Sequence, residues 1–154
     1  MLRKILIGLL VALVIIQFIR PERNVASAMS ANDISTKYTV PDDVNKVLQK
    51  ACNDCHSNNT VYPWYSNIQP VGWWLQNHVN EGKEELNFSE FATYKNKKAA
   101  HKLEEVVELV EEGEMPLESY TIVHKEAKLT NEEKATLVTW AKALHQQIKS
   151  MPAE

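Results

Sequence analysis

Three sequence features that are typical of other fold classes are absent from this chain. Its 154 residues contain no internal repeat and no low-complexity tract, and no stretch alternates apolar and polar residues for long enough to indicate a strand. Repeat arrays and β-sheet folds are therefore excluded. The pattern predicts an all-α protein.

Basic residues are also fewer than acidic ones after the N-terminal region. Residues 41–154 hold 12 Lys and Arg against 18 Asp and Glu, a net charge of −6 with histidine neutral. An acidic domain is a poor partner for nucleic acid, so we expect none. Such a domain could instead steer a basic protein partner.

Long hydrophobic runs are absent except at the N-terminus. Arg3 and Lys4 precede a 15-residue apolar run, Ile5–Ile19, that only Gly8 and Gln17 interrupt. Basic residues before such a run are typical of a secretory signal peptide or a short signal anchor. Both interpretations place the rest of the chain on the exported side of the cytoplasmic membrane, in the periplasm.

The two interpretations differ over cleavage. The small residues Ala26-Ser27-Ala28 fit a peptidase site, but the charged segment 20–24 lies between them and the apolar run. Residues 2–19 number about 18, the short end of what crosses ~30 Å of hydrocarbon. We favour an uncleaved, single-pass anchor in the inner membrane over residues 1–20. A polar tether over 21–40 and one domain over 41–150 would follow it.

Helical periodicity marks the domain. Pro41 suits a first helical turn, and Val44, Val47, Leu48 and Ala51 recur with helical spacing up to Cys52. Further helices are predicted over 71–81, 96–112 and from residue 131, where 130–133 fit a capping box. Gly82 and Gly113 would end the second and third of these four helices. Residues 57–70 and 114–129 are predicted loops.

The two cysteines of the chain lie together in Cys52-Asn53-Asp54-Cys55-His56. A structural zinc site needs four ligands, and no second cluster accompanies these. A thiol oxidoreductase would place this motif after a strand, which the chain lacks. Covalent haem attachment remains, and it alone accounts for the histidine.

The geometry of a CxxCH segment explains that chemistry. Two intervening residues let both sulfurs reach the two vinyl groups on one haem edge, and the next residue then lies beneath the ring. We therefore predict one haem c, bound through Cys52 and Cys55, with His56 as the proximal iron ligand. Export agrees with this, because c-type attachment takes place outside the cytoplasm.

The candidates for a second axial ligand of the iron are Met115 and four histidines. Met115 lies in Gly113-Glu114-Met115-Pro116, a loop that could lay its thioether on the distal face of the iron. Packing in the core is the alternative for a methionine. His78 is the runner-up ligand, while His101 and His145 are expected to be solvated.

These motifs also carry a resemblance. The order of an amphipathic helix, CNDCH, a long loop, GEMP and the capped helix LTNEEKATLVTW resembles small class I cytochromes c. In that class a methionine before the C-terminal helix is the sixth iron ligand, and the first and last helices pack across each other. CNDCHSNNTVYPWYSNIQPVGWWLQNHVNEGKEELNFSEF with GEMPLESYTIVH is more closely similar to a family of small bacterial haem-binding domains, typified by membrane-anchored Bacteroidetes proteins.

The resemblance covers nearly all of residues 41–143 and implies the same roles for Cys52, Cys55, His56 and Met115. The segment WWLQNH, residues 73–78, departs from class I cytochromes, which keeps His78 in consideration. Four aromatic residues are expected to line the haem pocket: Trp64, Tyr65, Trp73 and Trp74. His124 could donate to a haem propionate.

The leading expectation is an electron carrier rather than an enzyme. A mono-haem c-type cytochrome at the outer face of the membrane would exchange single electrons with redox partner proteins there. A peroxidase or gas sensor is the alternative if the sixth iron position is open, with His78 or His124 as acid/base. A module whose haem supports a larger complex is a third possibility.

Overall fold

The chain folds into helices, as the absence of alternation predicts. The structure is a computed structural model that describes residues 1–152, and within them no β-strand forms, only one antiparallel bridge between Val25 and Asn59. The described α-helices are α1 (Leu2–Ile16), α2 (Ile34–Lys37), α3 (Asp42–Ala51), α4 (Asn53–His56), α5 (Val71–Glu85), α6 (Asn96–Glu112), α7 (Glu118–Val123) and α8 (Asn131–Lys149). Short 3-10 helices cover Trp64–Asn67, Phe88–Thr93 and Lys125–Ala127.

Helices α3, α6 and α8 confirm the predictions made from periodicity and capping. Gly113 ends α6 in the left-handed region at φ 81°. The capping box of α8 is complete, since the Thr130 side chain accepts from the Glu133 amide and the Glu133 carboxylate accepts from the Thr130 amide. These signals are local to each helix end, which is why they could be found from sequence.

The hydrophobic core lies mainly between α6 and α8, and α3 packs against α8. Leu103 of α6 and Leu137 of α8 are fully buried within it. Lys50 of α3 bonds both carboxylate oxygens of Glu133, at 2.6 and 2.7 Å. Helix α3 is thereby held where its last residue leads into the CNDCH segment.

Two predicted boundaries differ from the structure. Helix α5 runs on to Glu85 instead of ending at Gly82, and the predicted loop 114–129 contains α7 and a 3-10 turn. A glycine inside a helix is indistinguishable from a stop in sequence alone. Helix α7 has only six residues, too few to show a period.

The segment predicted as a tether is packed on the domain. Ile34 and Tyr38 are buried in the core, and the Asp33 side chain caps α2 by accepting from the Ser35 amide at 2.9 Å. The Asn24 side chain donates to the Ser57 carbonyl and to the Thr60 hydroxyl. Folded structure therefore begins before Pro41.

The N-terminal apolar run forms α1, none of whose residues is buried. Within residues 1–152, no helix combines the length and the apolar character that crossing a membrane requires.

Candidate haem site

The CNDCH segment forms a single helical turn at the end of α3. The Cys52 carbonyl accepts from the Cys55 and His56 amides at 3.1 and 2.9 Å. Residues three apart lie on the same side of such a turn, so both thiols face one way. Both cysteines are free and half-buried. This is the arrangement that bonding to one edge of a macrocycle requires.

Burial makes both thiols poor nucleophiles in this environment. It is the main cause that raises the pKa of Cys52 to about 12 and that of Cys55 to about 11. The neighbouring acidic groups, Cys55 for Cys52 and Asp54 for Cys55, raise each pKa further. A thiol oxidoreductase needs a lowered thiol pKa, so the structure argues against that chemistry.

The His56 ring is held by one of its two nitrogens. Nδ1 lies 2.9 Å from the Gly82 carbonyl oxygen and 3.0 Å from the Leu86 carbonyl oxygen. Because both partners are acceptors, Nδ1 carries the proton and donates, which leaves Nε2 as the basic nitrogen. Metal-binding histidines in proteins are oriented in the same way, by a backbone carbonyl on the other nitrogen. Burial also lowers the pKa of His56 and so favours the neutral form that binds iron.

Gly82 allows α5 to approach the motif closely. A Cβ at this position would lie 2.7 Å from the Cys55 carbonyl oxygen and 3.0 Å from the Cys55 Cβ. The same residue supplies one of the two carbonyls that hold His56. The contact spans 27 positions of sequence, and we did not predict it. A glycine inside a predicted helix is its only signal.

Replacing Gly82 with alanine should therefore disturb the site. The obstructing oxygen belongs to the backbone, so the turn must shift, at a cost of about 1–3 kcal/mol. The better helix propensity of alanine offsets up to about 1 kcal/mol of this. We expect Gly82→Ala to be less stable in urea unfolding and to incorporate less haem. Glu84→Ala, an exposed position in the same helix, is the control and should change neither quantity.

Asp54 joins the motif to α7. Its Oδ1 accepts from the Val61 amide at 2.9 Å, and its Oδ2 accepts from the Tyr120 hydroxyl at 2.7 Å. Burial, followed by the bond to Asp54, raises the pKa of Tyr120 well above its usual value, so the hydroxyl stays protonated and remains a donor. Neither residue was predicted to be functional.

Removing the Tyr120 hydroxyl should loosen this connection. We expect Tyr120→Phe to lower the free energy of unfolding by about 1–3 kcal/mol, because the Asp54 carboxylate loses a donor. Hydrogen exchange should become faster in α7. Tyr38→Phe is a matched control, since the Tyr38 hydroxyl is buried without a partner and its removal should be neutral or stabilising. Equal losses in the two variants would contradict the expected role of the Tyr120 bond.

Met115 is half-buried and packs against the core, as Cys52 also does. Its loop is fastened on both sides. Before it, the Leu109 carbonyl accepts from the amides of Glu114 and Met115, at 2.9 and 3.1 Å. After it, Tyr120 bonds Asp54 within the motif. The loop predicted to carry the distal ligand is therefore followed by a helix, α7, that is bonded to the CNDCH turn.

The predicted pocket aromatics lie in and around the first turn of α5. Trp64 is 76% exposed and Trp74 is 48% exposed, while Tyr65 and Trp73 are half-buried. The Trp73 indole donates to the Ile19 carbonyl at 2.7 Å. Tyr65 reaches the residue that follows α7, since its hydroxyl lies 2.7 Å from Nε2 of His124.

Three of the four histidine candidates have local partners. His78 Nδ1 lies 2.9 Å from the Trp74 carbonyl oxygen of its own helix, and the His78 and Trp74 rings are tilted by 50° with their centroids 4.3 Å apart. His124 stacks on Tyr120 at 4.4 Å, and its Nδ1 lies 3.2 Å from a Glu126 carboxylate oxygen. His101 is exposed beside Glu104 and Glu105.

A cavity of about 700 Å³ lies between the N-terminal segment and α3. Met29, Gln49 and Asn53 are among the residues that line it, and neither thiol nor His56 does so. Asp54 and Ser57 also line it, so the cavity adjoins the CNDCH turn.

The turn with two thiols and a carbonyl-held imidazole defines a haem-binding helical domain. Comparison of the sequence with protein families agrees. The family described as "Haem-binding domain" matches residues 11–143. The chain belongs to this family of haem-binding domains. No curated protein and no solved structure matches it.

Proposed function

We propose that the chain is a mono-haem c-type cytochrome that carries single electrons at the outer face of the cytoplasmic membrane. The observation that carries the proposal is the position of His56 directly after a turn with two free thiols on one side. Two backbone carbonyls hold its Nδ1, so that Nε2 is the nitrogen available to iron.

The residues divide into attachment, ligation and support. Cys52 and Cys55 would hold the haem as thioethers, His56 would bind the iron from one side, and Met115 would do so from the other. When bound, haem supplies an iron that cycles between Fe(II) and Fe(III). The carbonyls of Gly82 and Leu86 keep the imidazole in one orientation and its Nδ1 protonated. Little rearrangement of the protein is then needed when one electron enters or leaves.

A cytochrome c-like arrangement of the domain is part of this proposal. Helices α3 and α8 would correspond to the first and last helices of class I cytochromes c. Their contact through Lys50 and Glu133, and the Met115 loop before α8, support that comparison.

The membrane location rests on α1. A helix with none of its apolar side chains buried has no counterpart to pack against within the domain. We propose that the bilayer covers it, with the haem domain in the periplasm. Redox partners would be proteins at that surface, and the acidic charge of residues 41–154 favours basic ones.

A peroxidase or gas sensor is the second candidate. The side chains of Tyr65, His124 and Glu126 form a hydrogen-bonded series. This series favours a peroxidase or gas sensor, because such groups could move a proton. Tyr120 stacks on His124 and bonds Asp54, so it connects the series to the motif.

Exposure of the reduced holoprotein to carbon monoxide separates the two candidates. An electron carrier with both axial positions filled is expected to keep its visible spectrum under carbon monoxide and to titrate reversibly with one electron. A spectral shift on adding the gas would instead favour the sensor or peroxidase.

A further inference from the structure

The residues just after α1 are joined to the start of α5 and to the segment before it by specific hydrogen bonds. Gln17 accepts from the Gln69 amide at 2.9 Å and donates to the Gln69 carbonyl at 3.1 Å. Two residues later, the Ile19 carbonyl accepts from the Trp73 indole at 2.7 Å. The apolar helix therefore meets the domain at a fixed place instead of through a loose linker.

The segment that follows is also fastened to the domain. Arg23 donates to the Asn67 side chain at 2.6 Å, and the Asn24 carbonyl accepts from the Thr60 amide at 2.9 Å. The Ala26 amide donates to the Asn58 carbonyl at 3.0 Å. These bonds cover most of the sequence between α1 and α2, so the domain has little freedom to swing about α1.

A face of exposed apolar side chains begins at this same junction. Ile68, Val71 and Trp74 are spaced three residues apart, and the Gly72 amide already bonds the Ile68 carbonyl in helical fashion. Val71 and Trp74 lie on the same side of α5 and are 41% and 48% exposed, and Ile68, just before the helix, is 47% exposed. Trp64, on the adjoining 3-10 turn, is 76% exposed. We name these four residues the docking face.

We propose that the docking face rests on the lipid surface beside the point where α1 enters the bilayer, which holds the haem domain in one orientation. This inference rests on the membrane location proposed above and adds a second point of contact to it. Continuity with α1 is the main argument, because bilayer that surrounds α1 must also reach the residues bonded to its end.

The chemistry of the face fits lipid headgroups. Tryptophan is enriched where a membrane meets water, since its ring is apolar and its N–H is polar. Arg20 and Arg23 follow α1 directly, and both are exposed. Basic side chains beside a membrane are attracted to anionic lipid.

The test uses full-length holoprotein in nanodiscs of phosphatidylethanolamine and phosphatidylglycerol that carry a gadolinium chelate on some headgroups. The chain has four tryptophans, whose indole N–H signals can be assigned with single Trp→Phe variants. Discs with lutetium in place of gadolinium remove the contribution of the haem iron. We expect gadolinium to abolish the Trp64 and Trp74 signals. The signal of Trp140, buried and bonded to the Thr39 carbonyl, should persist.

A variant tests the face itself. The double change Ile68→Gln and Val71→Gln replaces exposed side chains of the face that are not among the predicted pocket aromatics, and it should leave the fold and the haem content intact. Gadolinium should then attenuate the Asn67 amide signal less than in the wild type, while the protein still floats with vesicles of the same lipids. Met29→Gln, at an apolar position 73% exposed outside the docking face, should behave as the wild type.

The possible results distinguish docking of this face from anchoring of the chain in the membrane. If the protein floats with vesicles but gadolinium leaves Trp64 and Trp74 unaffected, docking is overturned and anchoring stands. The face would then be free for a protein partner. If the full chain does not float at all, the proposed membrane location fails, and docking fails with it.

Discussion

Replacing Cys52 and Cys55 together with alanine is expected to abolish all haem that survives denaturation. Thioethers persist in acidified acetone and in denaturing gels, whereas a haem held only by iron ligands is extracted. Each single variant should keep one thioether, which the pyridine haemochrome spectrum distinguishes from two. Mass spectrometry of the wild type should show the added mass of one haem.

A control within the same turn makes the result specific. Asn53→Ala keeps both thiols and removes a side chain whose buried oxygen has no hydrogen-bond partner. It should retain covalent haem at the wild-type level. Wild-type protein that loses its haem to acidified acetone, when made with the maturation machinery present, would contradict covalent attachment.

Replacing Met115 with alanine is expected to have the largest effect on redox properties. A thioether opposite an imidazole stabilises Fe(II) and raises the potential. Because axial ligands set haem potentials over about 0.8 V, its loss should lower the midpoint potential by roughly a tenth of a volt or more. The weak far-red band of the ferric form, the mark of sulfur ligation, should disappear. The reduced variant should also gain the ability to bind carbon monoxide.

Met151→Ala is the matched control for this prediction. Met151 is a half-buried methionine that packs against the same core. Its loss should cost some stability without changing the potential or the far-red band. If the band persists in Met115→Ala, Met115 is not the ligand. If the wild-type ferric form shows no far-red band, the sixth ligand is not a sulfur, and His78 becomes the next residue to replace.

The hydrogen bond between Asp54 and Tyr120 links the prediction for the cysteines with the prediction for Met115. It ties the helix after Met115 to the turn that would hold the haem, so the two sides of the proposed site would share one support. Loss of the Tyr120 hydroxyl should therefore also weaken the far-red band, even though Tyr120 is not expected to touch iron. Its influence would act through the position of the Met115 loop.

Docking on the membrane would give electron transfer a fixed geometry. Because residues 17–26 are bonded to the domain, the exposed surfaces of the haem domain would face constant directions relative to the bilayer. Partners in the same membrane would then meet the same face at every encounter. A polar tether over residues 21–40 without these bonds would have allowed many orientations.

Much of the helical framework could be read from the amino-acid sequence. Helices α3, α6 and α8 were predicted because their signals are local: apolar residues with helical spacing, Gly113 after α6 and the capping box at Thr130. The chemistry of the CNDCH segment was equally local. Its residues lie within five positions, so no knowledge of the fold was needed to predict a haem site.

The features that were missed join residues distant in sequence. The sequence predicts a helix end at Gly82, because the close contact of this glycine with Cys55 exists only once α5 packs on the motif. Asp54 and Tyr120 are 66 positions apart, and Ile34 and Tyr38 are buried by elements that follow them. The local sequence pattern determines which side chains are present to bind haem. Packing determines which nitrogen of His56 remains free, because two carbonyls from another helix must come within hydrogen-bonding distance of the other nitrogen.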